Sequence, residues 1–203
     1  MELQEALAQI AEIRDQLART ETFEGYRSAT VAASGLMAIA AAGVQAAFVP
    51  EPLGRLDAYL GLWVGVAVVS IVPVGIEMLI RCRRANSETA ARLTRMAVEQ
   101  FLPCLVVGAL ITVAIAVVAP ETAWMLPGLW ALVFGLGVFA SARLFPRPVV
   151  WVAAYYLLAG TACLASGKRF ETLSPWMMAA TFGVGQLLAA AIVYRCVERK
   201  HVS

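Results

Sequence analysis

The chain has 203 residues, 61% of them hydrophobic and only 15% charged, with a mean hydropathy of +0.75 and a formal net charge of +2. Soluble domains are about 45–50% apolar and about 25% charged, and a single core cannot hide this excess in a chain of this size. A water-soluble globular domain is therefore excluded, the bilayer is the expected solvent, and so small a net charge points to no nucleic-acid partner.

The N-terminal segment MELQEALAQIAEIRDQLARTE is amphipathic and acidic. Over residues 2–22, Leu3, Ala6, Ile10, Ile13 and Leu17 recur at helical spacing, while Glu2, Glu5, Glu12, Arg14, Asp15 and Arg19 take the other faces. Gly25 ends this helix, so residues 1–25 read as a cytoplasmic amphipathic helix and 26–203 as the membrane domain. It is not a cleavable leader, because no positive patch precedes an apolar stretch; the first membrane helix is expected to serve as its own insertion signal. A lone helix of this length is marginal in water, so the stripe Leu3, Ile10, Ile13, Leu17 is expected to find a partner. A second copy, the inner ends of its own bundle and a different cytoplasmic protein all fit.

Six runs follow that are long and apolar enough to cross a membrane: about 28–49, 58–80, 97–119, 123–145, 148–166 and 173–194. The fold expected is all-α, a six-helix membrane bundle of three hairpins. Arginine and lysine set its orientation. Thirteen lie in the N-terminal tail, the 81–95 loop, the turn at Arg143 and Arg147, and the C-terminal tail. Arg55, Lys168 and Arg169 alone lie on the opposite side. The positive-inside rule then puts both termini in the cytoplasm. Tyr59, Trp63, Trp124, Trp130, Phe170 and Trp176 cluster near the outer ends, as an interfacial belt would.

Small residues mark expected packing faces: Ser34, Ala38, Ala42 and Ala46 in the first run, Gly61 and Gly65 in the second, Gly183, Gly185 and Ala189 in the sixth. Outer turns also resemble one another, with Gly61-Leu62-Trp63 matching Gly128-Leu129-Trp130. Tandem hairpins and convergence on what any short outer turn needs both account for this.

Between runs two and three, Glu77 precedes Arg81 by four residues and Glu99 follows Arg95 by four. Each carboxylate thus shares a helix face with an arginine nearer the cytoplasm, which makes two end-of-helix ion pairs. With Gln100 and Arg143 beside them, Glu77 and Glu99 also form a candidate polar cluster open to the cytoplasm, since ionisable groups inside a membrane are functional candidates. Glu88 in a first turn starts a helix that can run unbroken to residue 118 and display Arg92 and Arg95.

Several chemistries are excluded. The only histidine is His201 and the only aspartates are Asp15 and Asp57, so serine-protease, HExxH zinc, paired-aspartate and bis-histidine haem sites all fail. No CxxC is present. No catalytic residue, metal ligand or cofactor is expected. The span centres carry no charge but offer Ser70, Pro73, Thr112, Tyr155, Tyr156 and Gln186, a set that suits either a path for a neutral molecule or bonds between helices.

The segments FEGYRSATVAASGLMAIAAA, LGLWVGV, RMAVEQFLP, PGLWALVFGLGVFAS, LFPRPVVWV, YYLLAG and LSPWMMAATFGVGQLLAAAI resemble a family of bacterial inner-membrane proteins of about this length. The resemblance covers nearly the whole chain and implies location only; no activity comes with it. The leading expectation is a non-enzymatic membrane protein with an interaction or regulatory role at its cytoplasmic face. The alternative is a small transporter or channel for a weakly polar solute. The partners expected are the bilayer and, through the N-terminal helix, a second copy or a cytoplasmic protein.

Overall fold

The computed structural model describes residues 28–85, 88–145, 147–170 and 173–198, and their side chains except at 78–79, 81–91, 93–94, 167–170 and 197–198. The expected N-terminal helix, with Leu3, Ile10, Ile13 and Leu17, lies outside the described residues. Among those described, every regular element is helical.

Helix α1 is Ser28–Phe48. It stops before Pro50 and Pro52, which cannot continue the hydrogen-bond ladder. Helix α2 is Leu56–Ala85, begun by Asp57 in its first turn, where a carboxylate suits the helix dipole. Helix α3 is Glu88–Val118, the unbroken 31-residue rod expected, and Arg92 and Arg95 are exposed on it. A 3₁₀ turn at Pro120–Met125 leads into α4, Leu126–Ser141. Helix α5 is Val149–Phe170. The last rod, α6, begins at Pro175–Met178, widens to a π-helical stretch at Ala179–Val184, returns to α at Gly185–Val193 and widens again at Tyr194–Glu198.

Six of these helices are long and apolar enough to cross a membrane: Ser28–Phe48, Leu56–Glu77, Arg95–Val118, Pro120–Leu144, Val149–Ser166 and Pro175–Cys196. Each end falls within three residues of the run read from hydropathy, because an apolar stretch of about 20 residues has one stable form in lipid.

Packing is uneven. The two most extensive interfaces join α4 to α5 and α1 to α6. Both are made by glycine. A Cβ on Gly128 would stand 2.8 Å from the Gly160 carbonyl oxygen, and one on Gly160 would stand 2.8 Å from that of Gly128. Across α1 and α6, a Cβ on Gly35 would meet the Gly183 carbonyl at 2.9 Å, and one on Gly183 would meet Ile39 Cγ1 at 2.6 Å. Only hydrogen fits there, and the backbones gain the close van der Waals contact that holds helices together in lipid.

The small faces of α1 and α6 are therefore used in most of their length, with Ser34, Ala38, Ala42, Gly183 and Gly185 buried and Ala189 half-buried, whereas Ala46, near the end of α1, is exposed. The face of α2 is not. Gly61 and Gly65 are exposed, and a Cβ on either would meet nothing within 4 Å. Helices α2 and α3 touch each other sparsely. Only 11% and 6% of their most apolar windows are buried, against 33% or 39% in the other four spans.

The aromatic belt also needs correction. Tyr59 and Trp63 are buried in the core with Ala42, Ala123 and Leu126, instead of facing headgroups. For Trp63 the reason is a polar latch: its indole donates to Gln45 Oε1 at 2.8 Å, and Gln45 Nε2 donates to the Leu173 carbonyl at 2.7 Å. Gln45 is fully buried, so its amide can be kept inside only with both ends bonded.

Candidate functional site: a cavity between the helices

The sparse contact between α2 and α3 leaves space behind them. A cavity of about 360 Å³ fills it, walled by α1, α2, α3, α4 and α6. That volume is at the small end of ligand sites, about 300–1,000 Å³.

Toward the Pro120 end the wall is Trp63, Met178 and the Trp130–Thr112 pair. The Trp130 indole donates to Thr112 Oγ1 at 2.8 Å, and Thr112 Oγ1 in turn donates to the Gly108 carbonyl at 2.7 Å. Parallel to Trp130, the Tyr59 ring stacks at 6.3 Å between centroids. Toward the Glu77 end the wall is aromatic. Phe101 meets Phe134 edge-on at 5.3 Å, and Phe134 meets Phe182 edge-on at 5.7 Å. Tyr156 backs this wall, 4.7 Å from Phe134 and 5.6 Å from Phe182. Edge-to-face rings add specific attraction to the area they bury.

The π-helical stretch of α6 carries Phe182 on that wall. A π turn gives up regular i→i+4 bonds, and side chains take up what it frees. The Tyr155 hydroxyl donates to the Ala180 carbonyl, and Thr181 Oγ1 donates to the Met177 carbonyl at 2.7 Å.

Polar groups on the lining are few: Ser34, Ser70, Thr112 and Gln186. Ser34 donates to the Val31 carbonyl at 2.7 Å. Gln186 stands close to the Tyr156 hydroxyl, which is buried without a well-formed hydrogen bond. Among the described residues, no Asp, Glu, Lys, Arg or His is on the lining. A charge entering this space would meet no counter-charge and lose its hydration, whereas a neutral molecule with one polar group would not.

Of the span-centre residues read from the sequence, Ser70, Thr112 and Gln186 are on the lining. Tyr155 bonds α5 to α6 instead, Tyr156 lies behind the wall, and Pro73 is exposed on α2, which runs through it unbroken.

The expected cytoplasmic polar cluster is placed differently from the cavity. Glu77 is half-buried and accepts a 2.7 Å hydrogen bond from Thr30 Oγ1, so it ties α2 to α1. Glu99 is exposed and pairs with Arg95 at 2.6 Å, four residues away as the spacing implied. Gln100 is exposed on α3, and Arg143 is exposed in the 3₁₀ turn Ala142–Leu144 after α4. These two bonds do not assemble the four residues, and none of the four lines the cavity. The side chain of Arg81 lies outside the described residues. Among the described residues no group of three or more His, Cys, Asp or Glu is placed to hold a metal ion.

Sequence reasoning missed Gln45, Trp63 and Trp130 as internal groups. A signal was available. Each Trp of the two GLW motifs bonds a polar side chain 18 residues earlier, Gln45 for Trp63 and Thr112 for Trp130, both at 2.8 Å.

Comparison with protein-family models, with curated proteins and with solved structures finds no match to the chain.

Proposed function

We infer that this chain is a non-enzymatic, multi-pass protein of a bacterial inner membrane, of the family it resembles, that binds a neutral, weakly polar solute within the bundle and passes it across or out of the bilayer. The observation that carries this is the cavity: it is ligand-sized, bounded by five of the six spans, and lined by no charged group among the described residues. Three outward hairpins with both termini cytoplasmic complete the reading, supported by the arginine and lysine distribution.

A flux assay tests it. Gly108 is on the lining, and a Cβ there meets nothing within 4 Å, so Gly108→Leu adds bulk at the cavity from a backbone position that admits a side chain. Proteoliposomes with the full-length chain should take up at least one solute from a panel of small neutral alcohols, amides and ketones faster than empty vesicles. Gly108→Leu should abolish that excess. If no solute moves faster and none shifts the unfolding temperature, the reading is wrong.

The interaction or regulatory role stays as a second proposal, supported by the amphipathic pattern of residues 2–22 and by Arg92 and Arg95, exposed on the projecting start of α3. A cross-linking pull-down from native membranes, with and without residues 2–22, separates it. A partner recovered only with the full chain supports that role.

A further inference from the structure

The cavity has a mouth, and its position says where a ligand comes from. The lining residues that are also exposed are Val64, Ala67, Val68 and Ile71 on α2 and Ala109 on α3. All five lie within the apolar parts of the two spans, Leu56–Glu77 and Arg95–Val118. The residues contributed by α1, α4 and α6 are buried or half-buried. The opening is thus between the middles of α2 and α3, at the depth of the hydrocarbon core.

Inside, two polar groups have capacity to spare. Thr112, Thr161 and Thr181 turn their hydroxyls back onto the carbonyl four residues earlier, as hydroxyls in membrane helices do. Among the described residues, the Ser70 hydroxyl makes no such bond. Gln186 offers two donors and an acceptor and has the Tyr156 hydroxyl as a neighbour. Polar groups in hydrocarbon seek a partner, because water cannot supply one.

We propose that the cavity takes a neutral, bilayer-dissolved amphiphile with an alkyl body and a single hydroxyl or carbonyl, which enters sideways between α2 and α3 and hydrogen-bonds Ser70 and Gln186. This rests on the solute-binding reading above and adds the ligand class and the route. The alkyl body meets Val64, Val68 and the Phe101–Phe134–Phe182 wall. A charged headgroup would meet no counter-charge among the described lining residues.

The test is photolabelling of the full chain in phosphatidylcholine vesicles with a diazirine-bearing dodecanol, the labelled residues being mapped by mass spectrometry. Met178 is the reporter, since it lines the cavity yet is only 4% exposed, so label there has come inside. Saturable labelling of Met178, competed by dodecanol, is expected, with Ser70→Ala and Gln186→Leu each weakening it about 3- to 10-fold. Ala67→Trp and Ala109→Trp add bulk at exposed positions of the mouth and should block it while leaving thermal unfolding unchanged. If a diazirine-bearing dodecane labels Met178 as well as the alcohol does, the ligand class is wrong. If labelling persists with both mouth variants, the route is wrong. If a short, water-soluble diazirine butanol labels Met178 saturably and dodecanol does not, the inference falls while the solute-binding reading stands. If neither reaches Met178, both fall.

Discussion

The α4–α5 pair and the α2–α3 pair are both built from apolar helices long enough to span a membrane, and they pack in opposite ways. In the first, Gly128 and Gly160 bring two backbones together so closely that a Cβ on either would stand 2.8 Å from the other's carbonyl oxygen. In the second, Gly61, Gly65 and Gly108 face open space, and the helices stand apart around a cavity. Glycine in a membrane helix is thus no signal of contact by itself. It permits close approach, and the neighbouring side chains decide whether approach happens. Behind α2 and α3, Trp63, Phe101 and Trp130 stand on the wall of that cavity.

The largest expected effect breaks the tight pair. Gly160→Leu drives a side chain into the Gly128 carbonyl and Leu132, and should destabilise by about 3 kcal/mol or more or prevent folding. Unfolding of the purified protein in a denaturing-detergent titration measures it. Next is Gln45→Leu. It leaves the Trp63 N–H and the Leu173 carbonyl without partners in the core, at about 1–3 kcal/mol for each group. The same titration should show the loss, and Gln45→Glu, which keeps an acceptor for Trp63, should recover part of it when protonated at low pH.

A smaller effect separates the two tryptophan latches. Thr112→Val removes the acceptor of Trp130 beside an open cavity, where the indole can find another partner, and should lower stability by about 1 kcal/mol or less. Tryptophan fluorescence of this variant should shift where that of Gly65→Ala does not. Gly65→Ala is the smallest. With nothing within 4 Å to meet the new methyl, its effect on stability should stay within about 0.5 kcal/mol. A loss like that of Gly160→Leu would mean that the α2 face is covered in the membrane, and the comparison between the two pairs would fail.

Much of the architecture was legible. Six apolar runs, proline stops and the long α3 rod follow from lengths and helix chemistry that hold wherever lipid is the solvent. The Arg95–Glu99 pair was legible for the same reason, since a spacing of four fixes it within one helix. The polar lining was half legible: Ser70, Thr112 and Gln186 stood out because a polar residue at a span centre is costly wherever it points. The Phe101–Phe134–Phe182 wall did not stand out, because an apolar side chain in an apolar run looks alike whether it faces lipid, a helix or a void.

The sequence by itself determined the elements: which of the described residues are helix, and which of those helices are long and apolar enough to cross a bilayer. Tertiary structure decided the rest. It chose Gly128 and Gly160 over Gly61 and Gly65 as contacts, turned Trp63 inward to Gln45, sent Glu77 to Thr30, and left the space behind α2 and α3. Periodicity and hydropathy report how each residue relates to its own helix and solvent. Contact, cavity and mouth depend on which faces of different helices meet, and that is fixed only when all six pack together.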